Sequence, residues 1–324
     1  MRAQAAFRLG TRGSPLALVQ ARDVRARLAA AHAELAAEDA VEIVVIKTTG
    51  DKVQDRALSE IGGKGLFTKE IEEALLDRRI DAAVHSMKDV PTWLPEGVVI
   101  AAILPREDSR DVLLAAKATS LAALPQGAVI GTASLRRQAQ VLLVRPDLKV
   151  VPLRGNVETR LRKLREGEVD ATLLALAGLR RLGLADEVAA QATILSADDM
   201  LPAAAQGAIG VEIRADDDRT RDLIAALDHA PSATCVAAER ACLDVLDGSC
   251  RTPIGAAAEI AGDQVYLRAL VAMPDGSRAH RAERRGAIAD ALAVGRAVGG
   301  ELRAAAGMAF FAALADQQPT GTGR

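Results

Sequence analysis

The sequence predicts an α/β protein that ends in a smaller α+β unit, and three observations carry that prediction. Between Phe7 and Ile213, short β-branched and aliphatic runs alternate with stretches of helical apolar spacing. The joins carry helix-start chemistry, such as Ser14-Pro15, Ser134 and Arg154-Gly155-Asn156. Beyond Asp228 the order changes to a helix, three strands with a tight Pro274-Asp275-Gly276-Ser277 turn, and a last helix.

Residues 7–10 read as the first strand. Ser14 is a good cap and Pro15, with its fixed φ and missing N–H, a good first helical residue, so a helix is predicted over 15–31. Residues 41–48, rich in Val and Ile, form the second strand, and the polar stretch 49–61 predicts an exposed, mobile loop. Gly62-Gly63-Lys64-Gly65 precedes a helix over 66–76, whose apolar residues share one face. This glycine cluster lacks the G-x-x-x-x-G-K-[ST] spacing, which argues against nucleotide hydrolysis. Apolar runs at 80–84 and 98–104 are the next strands, and 105–108 reads as a crossover. The same grammar then repeats. Strands fall at 112–114, 128–131, 149–153 and 170–176, with helices over 135–144 and from 156. The strand at 209–213 is placed to return the chain to the first unit, and Asp216-Asp217-Asp218 reads as a solvated acidic turn. A helix from 231 to about 246 precedes strands near 254–261, 264–273 and 278–285, a helical region over 287–314, and a tail, 317–324, expected to be disordered.

Composition narrows the function classes. Half of the 324 residues are apolar, enough for sizeable cores, while aromatics are only 2%, too few for a base-stacking platform. A net charge of −2 gives no global field toward nucleic acid or membrane. Locally the balance differs: 131–181 holds eleven Arg/Lys against five Asp/Glu. Cysteines 235, 242 and 250 form no C-x-x-C pair and the four histidines no ligand spacing, so neither a disulfide framework nor a metal site is expected. The first ten residues lack the apolar core of a signal peptide, and the longest aliphatic run, 171–179, is too short to span a bilayer. These features read as a soluble cytoplasmic protein.

Three features carry candidate chemistry. His85-Ser86-Met87-Lys88-Asp89-Val90-Pro91 follows a buried strand and is stopped by Pro91. On these residues alone two readings stand: a polar loop whose Asp caps a turn, or a site. In the second, Asp89 carries acid/base or cation-stabilising chemistry and Lys88 offers charge to an anion. Next, strand-to-helix turns repeatedly carry arginine: Arg12, Arg136 and Arg137, Arg154 and Arg160, and Arg181. An α/β sheet puts such turns on one edge, where guanidiniums repel unless a polyanion occupies them. The Arg-rich composition, 33 Arg to 8 Lys, discounts each one without explaining their positions. Finally, Cys235 and Cys242 sit at helical spacing as small apolar residues. Cys250 lies on a glycine-flanked loop beside Arg251, where a thiolate would be stabilised.

Six segments occur in an order that resembles the porphobilinogen deaminase (hydroxymethylbilane synthase) family along nearly the whole chain. They are Thr11-Arg-Gly-Ser-Pro-Leu-Ala-Leu18, Gly62-Gly-Lys-Gly-Leu-Phe67, Val84-His-Ser-Met-Lys-Asp-Val-Pro91, Gly131-Thr-Ala-Ser-Leu-Arg-Arg-Gln138, Leu153-Arg-Gly-Asn-Val-Glu-Thr-Arg160 and Gly248-Ser-Cys-Arg-Thr-Pro-Ile-Gly255.

The resemblance implies two hinged domains of the type II periplasmic-binding-protein kind plus a small C-terminal α+β domain with a three-stranded antiparallel sheet. The corresponding division is 1–105 with 205–224, then 106–204, then 225–324. It implies a transferase that removes ammonia from porphobilinogen. Four units are joined head to tail on a dipyrromethane primer, and a linear tetrapyrrole, hydroxymethylbilane, is released. By motif match the primer's thioether falls on Cys250 and the catalytic carboxylate on Asp89. Cofactor contacts fall on Asp51, Ser86, Lys88, Thr132, Ser134, Arg136, Arg137, Arg154, Asn156 and Arg160. Substrate contacts fall on Arg12, Ser14, Arg154, Arg160, Arg181 and Gln206, with Lys64 and Phe67 closing from the neighbouring loop. No metal, nucleic-acid or membrane partner is implied, and a monomer is expected.

The chain departs from the family locally. Ala205-Gln206-Gly207 stands where Gly-Gln-Gly is common, Ala133 where a second Ser is frequent, and Cys242 where a large apolar residue is usual. Two other classes compete with the enzyme reading. A non-catalytic hinged protein binding a polycarboxylate would need neither Cys250 nor the third unit. An arginine-rich RNA-binding module conflicts with the net charge and the scarcity of aromatics.

Overall fold

The protein is described by a computed structural model covering residues 6–52, 65–116, 118–246 and 252–316. Lys64, Cys250 and most of the polar loop at 49–61 lie outside the described residues, as does the tail 317–324. The chain divides into two compact units. The first comprises Met1–Val53, Gly63–Glu107 and Ala208–Ala233, and the second Gln54–Gly62, Asp108–Gly207 and Thr234–Arg324.

In the first unit β1 (Phe7–Thr11) leads into α1 (Pro15–Ala31). Ser14 starts that helix by accepting the Ala17 N–H, and Pro15 fills its first turn. Ala21, Val24 and Leu28 on its inner face pack into the sheet's core. β2 (Val41–Val45), a one-turn α2 (Thr49–Lys52) and α3 (Lys69–Leu76) follow. The helix expected from 66 begins at Lys69 because Gly65, at φ 79°, first turns the chain. β3 is Ala82–Ser86 rather than 80–84, so His85 and Ser86 are strand residues. Pairing with the returning strand draws it onward. A 3-10 turn over Met87–Asp89 and β4 (Val98–Ile103) come next.

The second unit opens with β5 (Asp111–Ala115), β6 (Val129–Gly131), α4 (Leu135–Val144), β7 (Lys149–Val151), α5 (Val157–Arg165), β8 (Ala171–Ala175), α6 (Leu176–Arg181) and β9 (Ala192–Ile194). Then β10 (Ile209–Arg214) and α7 (Asp218–Ala225) complete the first unit. The acidic turn at 216–218 has a defined use, since Asp217 caps α7 and pairs with Arg214. α8 (Ala230–Val245), β11 (Ile254–Ala261), β12 (Gln264–Ala272), β13 (Ala279–Ala287) and α9 (Ala291–Asp316) end the chain.

The two five-stranded sheets have one design. Their orders are β2-β1-β3-β10-β4 and β7-β6-β8-β5-β9. In each, three parallel strands meet a fourth that runs antiparallel to its neighbours and comes from a distant part of the chain. This is the type II arrangement expected, and it sends the C-terminal ends of the parallel strands to one edge of each sheet. The third sheet, β11-β12-β13, is an antiparallel meander. Its core is Val265, Leu267, Val271, Val298, Leu302 and Phe310. Residues 288–315 are long and apolar enough, by length and composition, to cross a membrane, unlike any stretch singled out in the sequence. In the fold this segment packs along the meander, burying Val294, Val298, Leu302, Phe310 and Leu314.

Candidate active site

In the first unit, the ends of β1 and β3 place Arg12, Ser14, Ser86 and Asp89 around a small open cavity that His85, Gln20 and Phe67 also line. Arg12 organises it. Its Nε and Nη2 hold both oxygens of Asp51, the shortest contact being 2.5 Å, and its Nη1 lies 3.5 Å from Asp89 Oδ2. The guanidinium also lies 4.1 Å from the centre of the Phe67 ring. Phe67 can reach there because residue 50 is glycine, where a Cβ would come within 2.2 Å of the ring. Thr48 Oγ1 donates to the other face of Asp51 at 2.8 Å. Burial pushes the Asp51 carboxyl up, but the bonds from Arg12 and Thr48 outweigh it and leave the group below the ordinary carboxylate range.

Arg12's positive charge is therefore spent mainly on Asp51, although the sequence offered Arg12 as a ligand for an external carboxylate. Asp89 makes only the longer contact and keeps 31% of its side chain exposed. The cavity thus presents an incompletely paired carboxylate, a group that can stabilise a transient cation. Ser86 Oγ pairs with the Gln20 amide at 2.8 Å. Ser14 Oγ is used as the α1 cap. Lys88, half-buried, sits on the 3-10 turn beside Asp89.

The second unit carries the other arginines at the ends of β6, β7 and β8. Thr132 Oγ1 accepts the Ser134 N–H, Ser134 caps α4, and Asn156 caps α5 by accepting the Thr159 N–H at 2.8 Å. Arg136 and Arg137 are each 5% exposed, and their counter-ion is internal. Asp111, at the start of β5, accepts from Arg136 Nη1 at 2.7 Å and from Arg137 Nη2 at 2.8 Å. The sequence argument supplied an external polyanion for these arginines. Two guanidiniums buried this deeply need a charge of their own, and Asp111 provides it. Burial pushes the Asp111 carboxyl up, but the two adjacent arginines reverse that and hold it far below the ordinary range.

Gln206, 1% exposed, gives its amide to Asp111 Oδ1 at 2.8 Å and to the Ser109 carbonyl at 2.7 Å, so it braces the counter-ion. Arg181 donates to the Gly207 carbonyl at 2.7 Å, and Arg160 to the Gly155 carbonyl at 2.9 Å. Three donors on this edge, Arg136 Nε, Arg137 Nε and Arg154 Nη1, are buried and have no acceptor among the described residues. Buried donors are almost always satisfied, so these three fit an acceptor-rich ligand such as a polycarboxylate. The carboxylates of dipyrromethane are acceptors of that kind, so the donors present are compatible with it.

The loop from 201 to 208 ties this edge together at a conformational cost. Ala205 is 1% exposed and has φ 59°, and its N–H donates to Glu239 Oε2 at 2.6 Å. A Cβ in that left-handed region costs about 1–2 kcal/mol, partly offset by the greater chain entropy of glycine. Ala205→Gly is therefore expected to stabilise the protein by up to about 1 kcal/mol, raising the melting temperature by about 2 °C. A calorimetric scan that shows a lower melting temperature would refute the strain.

Several of these groups were not legible in the sequence. Asp111 shows only as a charge opening the apolar run Val112-Leu113-Leu114, and Gln20 is hidden on the inner face of α1. Cys242 is fully buried and behaves as packing, with burial pushing its thiol up to about 12.

Comparison with known proteins gives consistent matches. A family model described as porphobilinogen deaminase, dipyrromethane cofactor binding domain, matches residues 7–222, and one described as the porphobilinogen deaminase C-terminal domain matches residues 233–304. The chain is 56% identical over 311 residues to the chloroplastic porphobilinogen deaminase of Oryza sativa subsp. japonica, covering 95% of this chain and 86% of that one. It is 57% identical over 305 residues to the porphobilinogen deaminase of Paracoccus denitrificans, covering 94% and 96%. Among solved structures, a periplasmic binding protein of an ABC transporter from Brucella ovis, with glutathione bound, aligns at 16% identity and a TM-score of 0.41. That alignment covers 75% of this chain and 69% of the other.

Proposed function

The chain belongs to the porphobilinogen deaminase family, and from that premise we propose how its own residues perform the family reaction. The protein is a hydroxymethylbilane synthase of tetrapyrrole and haem biosynthesis: it deaminates porphobilinogen and joins four units head to tail into linear hydroxymethylbilane. Dipyrromethane, when bound, supplies the pyrrole carbon on which the chain grows.

The carrying observation is Asp89, a carboxylate 31% exposed that lines the cavity 3.5 Å from an Arg12 held chiefly by Asp51. Loss of ammonia from porphobilinogen leaves an electron-deficient methylene pyrrole. A fixed carboxylate stabilises that cation and accepts a hydrogen bond from the pyrrole N–H. Asp51, braced by the Thr48 hydroxyl, holds Arg12 and so holds its spacing to Asp89.

The acetate and propionate groups of each pyrrole need cationic partners. Arg154 has an unused buried donor, Arg136 and Arg137 each have one more, and Arg160, Arg181, Asn156, Ser134 and Thr132 lie on elements of the same unit. These residues are the proposed carboxylate ligands of the second unit, and Lys88 and Ser86 those of the first. Cys250, Lys64 and the closing role of the neighbouring loop lie outside the described residues. Their assignment rests on the segments Gly248–Gly255 and Gly62–Phe67. The three-part division at 105/106, 204/205 and 224/225, and a cytoplasmic monomer, belong to the same proposal.

Intact-protein mass spectrometry tests it. Protein taken from cells should carry a covalent addition that maps to Cys250, and adding porphobilinogen should produce stepwise increments. Active protein with unmodified Cys250 would overturn the thioether. Modified protein without increments would overturn the assembly reading.

A further inference from the structure

Behind the Asp89 cavity, three ionisable side chains are buried together in the first unit. His85 on β3 is 5% exposed, Glu212 on β10 is 0% and Glu72 on α3 is 5%. His85 Nε2 lies 3.0 Å from Glu212 Oε2. The register explains the contact: His85 pairs with Gly210, so Glu212 is its diagonal neighbour on the same face of the antiparallel pair. The other oxygen, Glu212 Oε1, is buried with no partner among the described residues. Burial, with the charge of Glu212 adding to it, pushes the Glu72 carboxyl up.

A core this costly is not what packing alone selects, since apolar side chains of similar volume would do as well or better. Its place in the fold suggests why it is kept. His85 lines the same cavity as Asp89 and precedes it by only four residues. Between them the chain leaves β3 and enters the Met87–Asp89 turn. The turn is pinned at one point by the Met87 N–H on the Ala208 carbonyl, at 3.0 Å. It is pinned at a second by the Met87 side chain over Gly210, where a Cβ would lie 2.1 Å from the sulfur. The first pin is the residue just before β10 and the second lies on β10, and the His85–Glu212 bond joins β3 to that same strand. Charged groups facing the pair are Glu72 from α3 and, across the cavity, Arg12 from the β1 end and Asp89 itself.

We propose that His85 and Glu212 act as a positioning pair for the reaction: their buried bond fixes the end of β3 against β10 and thereby sets where Asp89 sits in the cavity. The inference rests on the reading of Asp89 as the catalytic carboxylate. A carboxylate misplaced by about 1 Å costs on the order of 10²-fold in rate, so the pair acts on kcat and leaves substrate affinity nearly unchanged.

The test is a double-mutant cycle on the holoenzyme, with His85→Gln and Glu212→Gln made in wild type and in Asp89→Glu, where the carboxylate is already displaced by one methylene. Turnover of porphobilinogen by the wild type is read first; its absence would defeat the functional reading itself. Given that turnover, each single variant should lose kcat by about 10–100-fold with KM within about twofold. In the Asp89→Glu background the same changes should cost about threefold or less, because groups that act through one another are not additive. Equal losses in both backgrounds, or kcat unchanged in the singles, would overturn the positioning role. Thermal melts accompany each variant, and two variants that fail to fold at 25 °C would assign the pair to stability alone and overturn it as well.

Discussion

Asp89→Asn is expected to lower kcat for porphobilinogen consumption by about 10²–10³-fold while leaving the fold intact. The substitution keeps the size and one acceptor oxygen of the side chain, removes the charge and turns the other oxygen into an amide donor. That charge does little for stability: the ion pair to Arg12 is 3.5 Å long and the side chain is 31% exposed. Arg12 would still be held by Asp51 and stacked on Phe67. What the variant loses is the stabilisation of a positive charge that exists only during the reaction, so the effect falls on kcat. Steady-state assays and a thermal melt check both halves of this expectation. A variant within about tenfold of wild type would remove Asp89 from cation stabilisation.

Asp111→Asn is expected to do the reverse, with its main cost in stability. Removing one partner of a buried ion pair leaves uncompensated charge and typically costs about 3–5 kcal/mol; here two guanidiniums, Arg136 and Arg137, are left at once. The pH dependence follows from the direction of the shift. Asp111 titrates far lower in the folded protein than in the unfolded chain. Its contribution is therefore fully present above the unfolded value of about 3.9, and it is lost as pH falls from there through the folded value. Urea unfolding at neutral pH should show the loss, and wild type and variant should converge in acid. A variant as stable as wild type at neutral pH would show that the arginines find another counter-ion.

These two acidic residues also show how far the residue pattern reaches. Asp89 was legible because it sits in a chemically dense stretch ended by a proline, and because five other segments resemble one family in the same order. Asp111 was not. A single charge before an apolar run reads as a strand boundary, and nothing local says that two arginines from α4 come to rest on it. The arginine turns were located correctly, but their charge balance was not. Counting cations along a chain omits any carboxylate that arrives from another strand.

The alternation of strands and capped helices, the returning strand at 209–213 and the final meander follow from periodicity and turn chemistry, which act over a few residues. The family was legible in a different way, in six ordered segments that hold Asp89, Cys250 and every candidate arginine but Arg181. Which buried polar groups meet was settled by packing: Asp51 with Arg12, Asp111 with Arg136 and Arg137, Glu212 with His85. The reason is range. Apolar periodicity is written within a segment, whereas these contacts join residues 25 to 127 positions apart. Their partners are chosen only when sheet order brings β3 beside β10 and β5 beside β8.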